Sequence, residues 1–106
     1  MTLVRLRIFL AVARQGSVKG AAAELFVTQP AVSAGVAALE RDLGVALLAR
    51  EGRGVRLTAA GEVLARYAAT SLGLLEQGRD AATAAAHAGR GRLRLAAVTT
   101  AGEYVV

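Results

Sequence analysis

The stretch from Phe26 to Leu43, FVTQPAVSAGVAALERDL, decides how the rest of the chain is read. Thr28 is placed to cap a helix N-terminus through its hydroxyl. Pro30 falls in the first turn, where its missing N–H costs nothing because that donor has no intrahelical acceptor. Val32, Val36, Leu39 and Leu43 then recur at i, i+4, i+7 and i+11, one apolar stripe along a helix. The opposite row holds Pro30, Ser33, Ala34, Ala37 and Arg41, with Gln29 at the tip. It is small, polar and free of acids until Glu40. A helix with such a face can lie close against another surface.

Upstream, Thr2 is placed to cap a first helix with a buried stripe of Leu3, Leu6, Phe9 or Leu10, and Ala13. Gln15-Gly16 ends it, the glycine adopting the left-handed C′ conformation. Ser17 caps a second helix, Val18 to Leu25, whose Ala21, Ala22 and Leu25 let a neighbouring helix cross closely. Phe26-Val27 is a short turn. Two short helices so joined, the second exposing polar side chains near its N-terminus, form a helix-turn-helix.

Downstream, Leu43-Gly44 stops the opening helix. Ala46 to Thr58, ALLAREGRGVRLT, predicts a small β-hairpin in which Leu47-Leu48 and Val55 to Leu57 flank a four-residue loop, Glu51 to Gly54. Arg50 and Arg56 lie on its strands and Arg53 at its tip. A helix-turn-helix followed by a basic hairpin is a winged helix. Thr58 caps a further helix, expected from Ala59 to about Ala88, which at thirty residues is about 45 Å long. Leu64, Tyr67 or Ala68, Ser71, Leu74 or Leu75, Gly78, and Ala81 or Ala82 trace its stripe, bulky early and small late. A lone amphipathic helix leaving its domain points to dimerisation; the alternative is a helix frayed after Gly78. Ala88 to Gly91 reads as a linker, and Arg92 to Thr100 as one β-strand. The expected organisation is therefore mainly α: a winged helix-turn-helix over residues 1–58, a long dimerisation helix over 59–88, and a hinge with the first strand of an absent effector-binding domain over 89–106.

The 106 residues suffice for one small domain, and a core of this size gains from an extra interface. Thirteen basic against eight acidic residues give a formal charge of +5, almost all from arginine, since Lys19 is the only lysine. That balance suits nucleic acid or an acidic membrane surface, and an Arg-rich soluble protein from a GC-rich genome would share it. There is no cysteine, which excludes disulfides, zinc fingers and thiol chemistry. The apolar run Ile8 to Ala13 is too short for a signal-peptide core, and Arg14 closes it. The longest uncharged stretch, Leu25 to Leu39, carries Thr, Gln, Pro and Ser, so no membrane span is expected. The chain reads as soluble and cytoplasmic. His87, the only histidine, sits on an alanine-rich helix end and is assigned no catalytic role; no acids or serines converge on a base, and no metal-ligand spacing occurs. Neither enzymatic activity nor a metal or cofactor is expected.

These residues resemble the LysR-type transcriptional regulators. The resemblance rests on Leu6 to Phe9, Gly16-Ser17, Ala21-Ala22, Leu25, Thr28-Gln29-Pro30-Ala31-Val32-Ser33, Leu39-Glu40, Leu43-Gly44, Leu47-Leu48-Ala49-Arg50 and Leu57-Thr58-Ala59-Ala60-Gly61. It covers residues 3 to 66 closely, and the long helix and Arg92 to Thr100 in outline. It implies a bacterial winged-helix DNA-binding domain, a dimerisation helix and a C-terminal domain that senses a small molecule. Thr28, Gln29, Pro30, Ser33 and Ala34 would then line the groove-facing side of the recognition helix. Gln29 can read adenine bidentately, Ser33 can reach a base or phosphate, and Pro30 and Ala34 can touch a thymine methyl. Arg53 would enter a minor groove while Arg50 and Arg56 meet phosphates. Ser17 and Lys19, at the start of the second helix, favour a phosphate; for Ser17, capping alone is at least as good a reading. Dimerisation is expected through Leu64, Tyr67, Ala68, Ser71, Leu74, Leu75, Gly78 and Ala82. Two positions depart from the family pattern. Gly35 stands where Gln or Arg is common, read as the loss of a DNA contact, and Leu48 where Phe is common, read as a core exchange. Two alternatives stay open: the similar N-terminal domain of molybdate-responsive regulators, and a fragment that dimerises without binding DNA.

Overall fold

Four hydroxyl side chains start the four helices. In the computed structural model, which describes residues Met1–Gly91, Thr2 Oγ1 accepts from Arg5 N (3.2 Å), Ser17 Oγ from Gly20 N (2.9 Å), Thr28 Oγ1 from Ala31 N (3.2 Å) and Thr58 Oγ1 from Gly61 N (3.0 Å). Each satisfies a backbone donor that the helix itself cannot pair. The elements are α1 (Leu3–Gln15), α2 (Val18–Leu25), α3 (Gln29–Leu43), β1 (Leu48–Glu51), β2 (Gly54–Leu57) and α4 (Ala59–Gly91). The strand expected from Arg92 to Thr100 lies outside the described residues. One compact unit comprises Met1–Thr70, and a second begins at Ser71.

Left-handed residues end the first three helices: Gly16 (φ 67°), Phe26 (φ 57°) and Gly44 (φ 71°). At Phe26 the Val27 N–H donates to the Ala22 carbonyl (3.1 Å) and the Phe26 N–H to that of Ala23 (3.4 Å), a Schellman turn. Glycine or asparagine is the usual residue there, and a β-carbon in this conformation costs about 1 kcal/mol. The Phe26 ring recovers none of that by packing, being 94% exposed.

Phe9, Val12, Val32, Leu39 and Leu47 are the largest fully buried side chains. The expected stripes hold in their centres and fail at their ends: Leu3 is 49% exposed and Leu43 43%. Both lie in terminal turns. On α1, Ala11 and Val12 are buried besides Leu6, Phe9 and Leu10, because α1 packs against α2, α3 and β2 and so buries more than one stripe. Leu48 is half-buried against the core, which fits the core-exchange reading. Gly35 requires a correction. It is buried rather than outward, and a Cβ there would lie 2.9 Å from Ile8 Cδ1. Its lack of a side chain lets α1 and α3 approach closely, and removes no contact from the outer face.

The hairpin also differs from expectation. Its antiparallel register pairs Leu48 with Leu57, Ala49 with Arg56, Arg50 with Val55 and Glu51 with Gly54, so Glu51 and Gly54 belong to the ladder. The loop is two residues, Gly52-Arg53, with Gly52 at φ 60° as its first member. That is the glycine-first turn whose twist matches the paired strands. The hairpin is held to the helices by Val55 N–H donating to the Gly16 carbonyl (3.0 Å). Glu40 Oε2 accepts from the N–H groups of Leu47 (2.8 Å) and Leu48 (3.4 Å). Thr58 closes the far strand through its Oγ1 on the Ala46 carbonyl (2.7 Å) and its N–H on that of Leu47 (3.0 Å).

α4 runs three residues past the expected Ala88. Ala68 is buried while Tyr67 is 70% exposed, and Leu72, outside the expected stripe, is buried. Leu74 and Leu75 point into solvent.

Candidate nucleic-acid interface

α2 and α3 meet at 108°, within the range of helix-turn-helix pairs. The bend sets the N-terminus of α3 forward, and Thr28, Gln29, Pro30, Ser33 and Ala34 are all exposed there. Thr28 Oγ1 is engaged as the cap acceptor, which leaves its O–H proton as a donor. Ser33 lies one turn beyond Gln29, so the two share a row.

Beside this row is a cleft of about 270 Å3 lined by Ser17, Val18, Lys19, Gln29, Arg50, Arg53, Gly54 and Val55. Five residues singled out from the sequence thus meet at one place, from three separate elements. Lys19 comes from the first turn of α2, Gln29 from the first residue of α3, and Arg50 and Arg53 from the hairpin. No carboxylate lines the cleft. Three cations, Lys19, Arg50 and Arg53, beside the first turns of α2 and α3 suit the cleft to an anion. Ser17 Oγ caps α2 by accepting from Gly20 N, and that bond still leaves its O–H proton as a donor.

Arg56 lies elsewhere. Arg50 is opposite Val55 and Arg56 opposite Ala49, and side chains one step apart along a ladder project from opposite faces. Arg50 therefore lines the cleft, while Arg56 is exposed on the other face of the hairpin. Arg53, in the turn between them, can reach forward of both. Among the described residues no group of His, Cys, Asp and Glu is arranged to hold a metal ion, and no single helix is long and apolar enough to cross a membrane.

A helix-turn-helix whose recognition helix shares a basic cleft with a β-hairpin defines a winged helix-turn-helix domain. Residues 3–62 match the model of the bacterial regulatory helix-turn-helix proteins of the lysR family, and the chain belongs to that family. It is a family of transcriptional regulators, not enzymes. The chain is 41% identical over 105 residues to a probable RuBisCO transcriptional regulator of Porphyra purpurea, covering 99% of this chain and 33% of the relative. It is 42% identical over 96 residues to the transcriptional regulator ClcR of Pseudomonas putida, covering 91% and 33%. The chain thus spans about a third of the length of these curated relatives. Among solved structures, the CbnR DNA-binding domain in complex with DNA aligns with a TM-score of 0.76 at 43% identity, over 81% of this chain and 99% of that one. The BenM DNA-binding domain on its catB site 1 DNA gives 0.79 at 35%, over 81% and 96%.

Proposed function

We propose that this chain binds double-stranded DNA as a homodimer and controls transcription from a pseudo-palindromic promoter site. The observation that carries the reading is the cleft in which Lys19, Gln29, Arg50 and Arg53 come together without a carboxylate. A backbone phosphate in that cleft would meet cations and helix N-termini at once, fixing the domain's register on the duplex. α3 then enters the major groove, with Gln29 and Ser33 reading base edges and Pro30 and Ala34 lying against thymine methyls. Arg53 enters the adjacent minor groove and Arg56 meets a phosphate on the outer side of the wing. Ala34 and Ala37 offer no polar group, so direct readout rests on few residues and DNA shape contributes the remainder. The CbnR and BenM domains, to which this chain is similar, were crystallised with DNA, which supports the DNA-binding reading.

Residues 1–58 are the DNA-binding part, α4 (Ala59–Gly91) is the dimerisation helix, and the chain after it leads to an effector-binding domain. Leu64, Tyr67, Ser71, Leu74, Leu75, Gly78 and Ala82 carry the antiparallel pairing of two α4 helices, which would set two recognition helices on one site; Ala68, expected among them, is instead buried within the chain. A small-molecule effector would act through the C-terminal domain, in the cytoplasm. Two substitutions test the DNA contacts by fluorescence anisotropy on a duplex selected from a randomised pool. Arg53→Ala weakens binding to every sequence and lowers the salt slope by about one. Gln29→Ala costs about 1–3 kcal/mol on the selected duplex and relaxes its sequence preference. Unchanged binding by both variants would sink the proposal.

A further inference from the structure

We infer that Glu40 is a positioning residue for the wing: its carboxylate fixes where Arg53 sits relative to the recognition helix. The inference rests on the wing reading above. Glu40 lies in the second half of α3, on the element that carries Gln29 and Ser33. Its Oε2 accepts from the Leu47 N–H at 2.8 Å and the Leu48 N–H at 3.4 Å, where the chain enters β1. Among the described residues, no other α3 side chain is hydrogen-bonded to the hairpin.

The two strands are anchored differently. β2 is held by backbone, through Val55 N–H on the Gly16 carbonyl. Gly54 sits so close to that carbonyl that a Cβ would collide with it. β1 packs on the core through Leu48, but its one hydrogen-bonded tie to α3 among the described residues is the Glu40 side chain. Leu47 is buried, so its N–H has little access to water and depends on that partner. Leu48 opens β1, and Arg50 and the Gly52-Arg53 turn follow within five residues. A shift at Leu47-Leu48 is passed along the short ladder to both arginines. Gln29 and Arg53 line one cleft from the two elements that Glu40 joins. The reach of the wing is therefore set from the recognition helix, by an acid that need not touch DNA.

The test uses Glu40→Ala, Glu40→Gln, Arg53→Ala and the Glu40→Ala/Arg53→Ala double variant. Affinity is measured by anisotropy across a salt series, on pool-selected duplexes whose flanks are A·T or G·C. Arg53→Ala by itself tests the wing reading: if it changes neither salt slope nor flank preference, that reading fails and this inference falls with it. Given an Arg53 effect, Glu40→Ala is expected to lower the salt slope by about one and to reduce the A·T flank preference. In the Arg53→Ala background it should add less than about twofold. Glu40→Gln keeps an oxygen acceptor at the same reach and should restore most of the preference. Hydrogen exchange across Ala46–Thr58 without DNA should speed up in Glu40→Ala and return towards the parent rate in Glu40→Gln. Full additivity with Arg53→Ala overturns the inference, as does an unchanged flank preference in folded Glu40→Ala. Should Glu40→Ala fail to fold, Glu40→Gln decides alone: parent-like exchange and flank preference support the acceptor role, and loss of both with a parent-like melting temperature overturns it.

Discussion

α3 and α4 are both amphipathic on paper, and the folded chain treats them oppositely. α3 buries Val32, Gly35, Val36, Ala38 and Leu39 within fifteen residues. α4 runs thirty-three residues, and among its described side chains only Gly61, Ala68 and Leu72 are buried. Val63, Tyr67, Leu74 and Leu75 stand in solvent. The chain completes α3 by itself, so its outer face is free to be small and adapted to a ligand. α4 keeps an apolar surface that no other described residue covers, and isolated helices draw little stability from propensity alone. The difference accords with the roles proposed for them, reading for α3 and pairing for α4.

The largest expected effect breaks the α3 side. Leu39→Ala leaves a cavity at a fully buried position and should cost about 2–5 kcal/mol, read as a fall in melting temperature. The penalty should persist when protein concentration is varied, because the loss is internal to one chain. Next, replacing Leu74 and Leu75 together with glutamine should weaken self-association at least tenfold in sedimentation equilibrium while leaving the fold of Met1–Thr70 intact. A concentration-independent monomer in the parent chain would remove the pairing role of α4.

A smaller effect sharpens the contrast. Nothing lies within 4 Å of a Cβ built at Gly73, so Gly73→Ala should stabilise α4 by roughly 0.5–1 kcal/mol, seen as added helical ellipticity. Gly35→Ala on α3 meets Ile8 and should not gain in the same way. The smallest effect is one of pH. Glu24 accepts from the Arg14 guanidinium and, at 3.0 Å, from Gln15 Nε2, which hold its carboxyl below the ordinary range, the Arg14 bond most. A depressed folded-state pKa contributes stability above the unfolded value and loses it as pH falls through the folded one. Glu24→Gln should therefore flatten the acid limb of the stability curve slightly, with no change at neutral pH in its pH dependence.

Much of the site was legible because its signals are local. A hydroxyl before a helix, a proline in its first turn and a glycine after it are determined over four or five residues, and all the helix starts followed. Ser17, Lys19, Gln29, Arg50 and Arg53 were recognisable as a set by their residue types and by resemblance to the family. Their convergence on one cleft was not, since it depends on the α2–α3 angle and on the hairpin's attachment. Glu51 and Gly54 have turn-forming residue types, which is why the pattern predicts a four-residue loop, yet the ladder pairs them. The burial of Gly35 against Ile8 is not legible, because a helix pattern gives directions about its own axis and says nothing of how near a neighbour comes.

The sequence by itself thus determined the order and ends of the elements, the basic wing and the small outer face of α3. Those follow from backbone capping and side-chain period, which are short-range. Only the tertiary structure decided that Gly35 makes room for Ile8, that Glu40 reaches from the recognition helix to the wing, that Leu72 is buried while Tyr67 is not, and that Phe26 stands out in solvent. Each of these depends on the distance between groups far apart in the chain or on which side a neighbour lies, and packing alone sets both.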